Sequence, residues 1–166
     1  MKKLLMVTLA VVMLLALCVT PVFAAPGGKD SPANDNPNNL YLYEKTTTDW
    51  EIVWGGAWGK YNFKLSGEGA DTTISGPFNG HGLVAGTNYT LIEYNGWWDV
   101  TVIGAADADS NGNVSIRGTA VVGAGGEEGE GLYKIWLVPT DEMATWPGNP
   151  PEGWLFEHNL IPNPEQ

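Results

Sequence analysis

The sequence predicts an all-β fold, an antiparallel β-sandwich of about eight to nine short strands. Three observations predict it. From Leu40 onward no window keeps apolar residues at the i, i+3, i+4, i+7 spacing of an amphipathic helix for three turns. Short runs rich in Val, Ile, Tyr, Trp and Thr recur instead. Gly, Asn, Asp and Pro cut those runs, and a helix interior loses about 1 kcal/mol per Gly and about 3 per Pro.

The strands follow in order. Leu40–Lys45 is short, and Trp50–Trp54 comes next. In Lys60–Leu65, Tyr61, Phe63 and Leu65 alternate with Lys60, Asn62 and Lys64, the period of a half-buried strand. Thr72–Phe78, Tyr89–Tyr94, Trp98–Ala106, Val114–Val122, Leu132–Val138 and Trp154–Ile161 complete the set. Trp50, Trp54 and Trp58 have i, i+4, i+8 spacing, but Gly55, Gly56 and Gly59 lie among them, which favours two strands joined at Gly55-Gly56 over a helix. Residues 141–153 read as a proline-rich loop with one helical turn at most.

The N-terminus reads as an address. Lys2 and Lys3 precede an uncharged apolar run from Leu4 to Val19, Pro21 breaks it, and Val22-Phe23-Ala24 offers small residues at −3 and −1. This is the layout of a secretory signal peptide over residues 1–24. The run is shorter than the roughly 20 residues of a spanning helix. Cys18 is preceded by Leu17 rather than a small residue and lies inside the run, against lipidation. Cleavage after Ala24 leaves no cysteine, so stability must come from a core without disulfides. Residues 25–39 carry almost no apolar side chains and read as a disordered leader. Residues 40–161 form the domain and 162–166 a tail, with no apolar anchor or sorting motif after Ile161.

The chain carries 8 basic and 19 acidic residues. Loss of Lys2 and Lys3 leaves 6 basic against the same 19. With no basic patch to neutralise phosphates, nucleic acid is not an expected partner, and anionic membranes are disfavoured for the same reason. The mature chain has no membrane span.

Gly82-Leu83-Val84-Ala85-Gly86-Thr87-Asn88-Tyr89-Thr90-Leu91 resembles the tyrosine corner of fibronectin type III and immunoglobulin-like sandwiches. The resemblance implies an immunoglobulin-like sandwich, with Tyr89 burying its ring and returning its hydroxyl to nearby backbone. The chain departs from the fibronectin pattern, which has one strand after this corner where about four are counted here. FNGHGL, GTNYTLIEY, DSNGNVSIRG, YKIWLVP and WLFEHNLI further resemble a family of small secreted prokaryotic all-β proteins, from about Leu40 to Ile161. That resemblance implies secretion and an all-β domain, and carries over no activity or catalytic residue.

Asp107, Asp109 and Asn111, followed by Gly112, match the first half of a helix-loop-helix calcium loop. Position 12 is Gly118 where a bidentate glutamate belongs, and the flanks read as strands. Asn111-Gly112 between two apolar runs is also a strong hairpin signal. A plain hairpin is the preferred reading, and a weak calcium site the alternative. No cofactor is otherwise expected. Glu127, Glu128 and Glu130 read as a solvated glycine-rich connection. His81 and His158 lack metal-ligand spacing; His81 is placed in a turn and His158 on the exposed side of the last strand.

The 8 tryptophans fill a core or present rings to a ligand. Trp97 and Trp98 are the candidate sugar platform, because adjacent strand residues face opposite ways and at most one enters the core. No Gly-x-Ser-x-Gly elbow, His-Glu-x-x-His or phosphate loop is present, and no cysteine nucleophile survives cleavage, so an enzyme is not expected. Asn88 and Asn113 begin glycosylation acceptor triplets. The sequence thus points to a secreted, non-catalytic extracellular binding or surface-interaction protein of unspecified ligand. A carbohydrate-binding module and a calcium-stabilised surface module are the alternatives.

Overall fold

The computed structural model describes residues 38–96, 99–125, 132–143, 153–158 and 161–162. Residues 1–37, on which the expected signal peptide and most of the expected leader fall, lie outside the described residues, as do Trp97, Trp98, Glu127, Glu128, Glu130 and the residues beyond 162. The strands are β1 (Asn39–Glu44), β2 (Trp58–Asn62), β3 (Lys64–Ser66), β4 (Thr73–His81), β5 (Asn88–Tyr94), β6 (Val100–Asp107), β7 (Val114–Val121), β8 (Leu132–Pro139), β9 (Leu155–Glu157) and β10 (Ile161–Pro162). One 3-10 turn, Gly69–Asp71, is the only helical element among the described residues.

Every ladder is antiparallel. The strand order is β3-β4-β2-β1-β9-β8-β5-β6, with β7 on β4 and β10 on β8. The two extremes, β6 and β7, are joined by the turn at 108–113 and pack closely through glycines. A Cβ on Gly118 would run into the Ile103 carbonyl, and one on Gly104 would lie 3.1 Å from the Arg117 carbonyl oxygen. Strand content and pairing sense are as the sequence predicts. The described ladders make one continuous sheet curled into a half-barrel, where a sandwich would have two separate sheets.

Several boundaries differ from the reading of the sequence. Trp50–Trp54 is a turn region with one isolated bridge, Lys45 to Ile52, and not a strand. Its path closes on Glu44, whose carbonyl accepts from Val53 N–H (2.9 Å) and whose Oε2 accepts from Ala57 N–H (3.1 Å). Lys60–Leu65 is interrupted at Phe63, whose N–H leaves the ladder to donate to the Asn38 carbonyl at 2.9 Å. The last strand is likewise two pieces, β9 and β10. His81 is the final residue of β4, not part of a turn, because β4 continues to its pairing with Trp58.

The alternation of β1 shows how the core is built. Leu40 and Leu42 join the inner cluster with Tyr61, Phe63, Ile74, Phe78, Leu91, Ile116, Ile135 and Leu137. A second cluster covers the other face of β5, β8 and β9: Ile92, Tyr94, Trp136, Val138, Trp154 and Phe156, with Val100 and Met143 against it. Those strands are therefore apolar on both faces, as in Ile135-Trp136-Leu137-Val138, and show no period of two.

Candidate ligand-binding face

Cross-strand partners in an antiparallel sheet share a face. The register pairs Trp136 with Phe156, Phe156 with Tyr43, Tyr43 with Trp58, and Trp58 with His81. One row of ring-bearing side chains thus crosses five adjacent strands, β8, β9, β1, β2 and β4. Two residues along each strand, a polar row runs beside it: Tyr41 with Lys60, Lys60 with Asn79, Asn79 with Ser115. Leu40 and Leu42 take the opposite, inner face of β1.

The rings of this face touch. Trp136 meets Phe156 edge-on at 5.1 Å, and Trp58 lies 4.6 Å from His81. Tyr43 contacts Trp54 at 5.9 Å, His158 at 5.9 Å and Tyr41 at 6.4 Å. Lys60 Nζ stands 5.7 Å over the Tyr41 ring, within cation–π range. His81 Nδ1–H donates to Asn113 Oδ1 at 2.8 Å, fixing the ring beside Trp58.

Trp50 and Trp54 rise from the β1–β2 connection over this row. They are 44% and 49% exposed, while Tyr43 and Phe156 beneath them are buried. Trp50 has φ of 57°, the only positive value on a non-glycine residue among the described residues. A bulky side chain in the left-handed region is strained. It is held there by Thr46 N–H donating to the Glu51 carbonyl (2.8 Å) and Glu51 N–H donating to Thr46 Oγ1 (3.1 Å). The Trp50 indole lies 5.1 Å from Phe156. Observed strain of this kind concentrates at binding and catalytic positions.

The residues singled out from the sequence are placed as follows. Tyr89 is buried, and its hydroxyl accepts from Val84 N–H at 3.2 Å, a return to backbone five residues upstream. Asp107 accepts from Asn88 Nδ2 at 2.7 Å. Asp109 Oδ1 accepts from the backbone N–H of Asn111 (2.8 Å) and of Asn113 (2.9 Å), which holds its carboxyl below the usual range. The carboxylate thereby closes the turn, and Gly112 at φ of 74° packs against the Leu83 carbonyl where no Cβ would fit. Asn111 borders an open cleft of about 510 Å³ with Leu83 and Ser110. Among the described residues no group of three or more His, Cys, Asp or Glu stands close enough to hold a metal. Trp97 and Trp98, the sugar platform expected from sequence, lie outside the described residues.

A second cleft, of about 270 Å³, lies between Glu44, Ala57, Leu83, Val84 and Tyr89. Its one carboxylate, Glu44, is committed to the Ala57 N–H.

Two further carboxyls are withdrawn from water. Glu93 on β5 is fully buried; it accepts from Asn95 Nδ2 at 2.9 Å through Oε2, while Oε1 has no partner. Burial pushes its pKa up to about 7, against the hydrogen bonds from Asn95 and Thr101 and with the help of the Asp99 charge. Glu157 at the end of β9 is also raised to about 7 by burial, opposed by its own backbone N–H, Lys45, Trp136 and Lys134. The sequence reading missed both, and it missed Trp50 and Trp54 as the exposed rings. The alternation in NLYLYE, with Leu40 and Leu42 against Tyr41 and Tyr43, was the available signal for an aromatic outer face. No helix of the described residues is long and apolar enough to cross a membrane. No family model, curated protein or solved structure matches this chain.

Proposed function

We propose that this is a secreted, non-catalytic extracellular binding protein, and that it binds carbohydrate on the outer face of β1, β2 and β4. One observation carries the reading: two half-exposed indoles, Trp50 and Trp54, stand over a cross-strand row of rings with a polar row beside it. Pyranose rings present apolar faces that stack on indoles and hydroxyls that bond to polar side chains. Tyr41, Lys60, Asn79 and His81 supply those partners next to the rings. The immunoglobulin-like character in this reading rests on the Tyr89 corner alone.

The test is a tryptophan-fluorescence titration of residues 25–166 with a panel of soluble plant, fungal and bacterial oligosaccharides. Saturable quenching by at least one glycan is expected. Trp54→Ala should weaken that binding by about thirtyfold, the loss of a typical central aromatic contact of about 2 kcal/mol. Indifference to the whole panel, or quenching unchanged in Trp54→Ala, overturns the reading.

A further inference from the structure

Strand β9 is a three-residue link in the middle of the sheet. Among the described residues it alone is hydrogen-bonded to both β1 and β8. It holds β1 through the pairs at Leu42, Tyr43 and Glu44, and β8 through only Trp136 and Leu137. On one side of it lie β1, β2, β3, β4 and β7, and on the other β8, β5, β6 and β10. Three residues therefore bridge two halves of the sheet.

The chain puts an acid in that bridge. Glu157 pairs with the fully buried Leu42, and its Oε2 is buried without a hydrogen-bond partner. The groups around it are Lys45 just after β1, Lys134 and Trp136 on β8, its own N–H, and His158 next in the chain. Across β8 stands a fully buried acid, Glu93, opposite Ile135 and surrounded by Asn95, Thr101 and Asp99, whereas Glu157 as a residue is only partly buried.

We propose that β9 is a proton-operated latch: with Glu157 protonated the strand bridges the two halves, and loss of that proton draws the carboxylate into water and detaches the strand. A neutral carboxyl tolerates an unpartnered buried oxygen far better than an ion does. Release gives up five ladder pairs, the bond from His158 N–H to the Tyr41 carbonyl and the burial of Leu155 and Phe156, while burial of the acid keeps its proton in place until near-neutral pH despite the two lysines. Release would also disturb the aromatic face, since Phe156 lies under Trp50 and His158 against Tyr43. Ligand would then be held near pH 5 and let go near pH 8. That last consequence rests on the carbohydrate reading; the latch does not.

The test is amide hydrogen exchange of residues 25–166 at pH 5 and pH 8, with each rate normalised to intrinsic chemistry. Protection at Leu155–Glu157 should fall at least tenfold at pH 8, with the β4–β7 ladder unchanged. Glu157→Gln should keep its protection at pH 8, while Glu93→Gln should still lose it. Equal protection of wild-type β9 at the two pH values overturns the latch, and that comparison needs no variant to fold. So does an equal loss in Glu157→Gln, or a loss shared by every strand. No ligand enters this readout, so failure of the glycan titration and failure of the latch are separate results.

Discussion

Glu93 and Asp109 are both carboxylates in or beside strands, and their surroundings push them in opposite directions. Asp109 is solvent-exposed and receives two backbone N–H groups, so its charged form is favoured. Its contribution is present above the ordinary carboxylate range and is lost as pH falls through its depressed pKa. Asp109→Ala should therefore lower the melting temperature, and by the same amount in chelator and in millimolar calcium. A calcium-specific rise in the wild type alone would make the turn a metal loop. Glu93 is buried and favours its neutral form, with a pKa near 7 above the ordinary 4.5. Its stabilising contribution is full below about pH 4.5 and disappears as pH rises through about 7. At about 1.4 kcal/mol per pH unit, the wild type should lose on the order of 3 kcal/mol at this site between those limits. Urea unfolding at pH 5 and pH 8 should show a flatter dependence in Glu93→Gln. An identical slope would place the titration elsewhere. The position of Glu93 was legible in part: Tyr89, Leu91 and Glu93 share one side of β5, and the first two belong to the inner core. A lone glutamate reads outward by default, and only the ladder to Ile135 and Thr101 shows that it cannot turn out.

At the scale of elements, β6 and β7 decide how the sheet closes. Their backbones come together at Gly104 and Gly118 because neither residue has a Cβ. Gly118→Ala places a methyl group against backbone, which cannot move aside as a flexible side chain would. A loss of about 3 kcal/mol or more in a urea melt is expected, and wild-type stability would show that the strands separate at no cost. The strand runs themselves were legible, since Val114–Val121 and Leu132–Pro139 follow from their β-branched and aromatic residues. What misled was Trp50–Trp54. Its residues favour a strand, yet the Glu44 carbonyl accepts from Val53 N–H within that segment and the Glu44 side chain accepts from Ala57 N–H just after it, which folds the chain into a turn. Bonds to the backbone and side chain of one residue before the segment thus overrode the preference of the residues within it. Trp58 and His81 were hidden for a related reason, because their partnership needs the register of β2 on β4.

For the whole molecule, all-β antiparallel character could be read from pattern alone, whereas curling into a half-barrel could not. Curling depends on two glycines meeting across β6 and β7 and on a short strand bridging β1 and β8, neither of which leaves a local period. The position of that bridge in the chain also dictates an order of assembly. Tyr43 finds Phe156 only across nearly the full described length, so this contact is among the most distant in sequence. Contacts of such separation are slow to form. The hairpin of β5 and β6 can pair while the ribosome is still adding β8, and β1 can pair with β2, but the other edge of β1 waits for residues 155–157. Until they arrive, the newly made chain holds two β-surfaces whose β1 and β8 edges are open, the state in which a chaperone or a neighbouring copy has its best opportunity to bind.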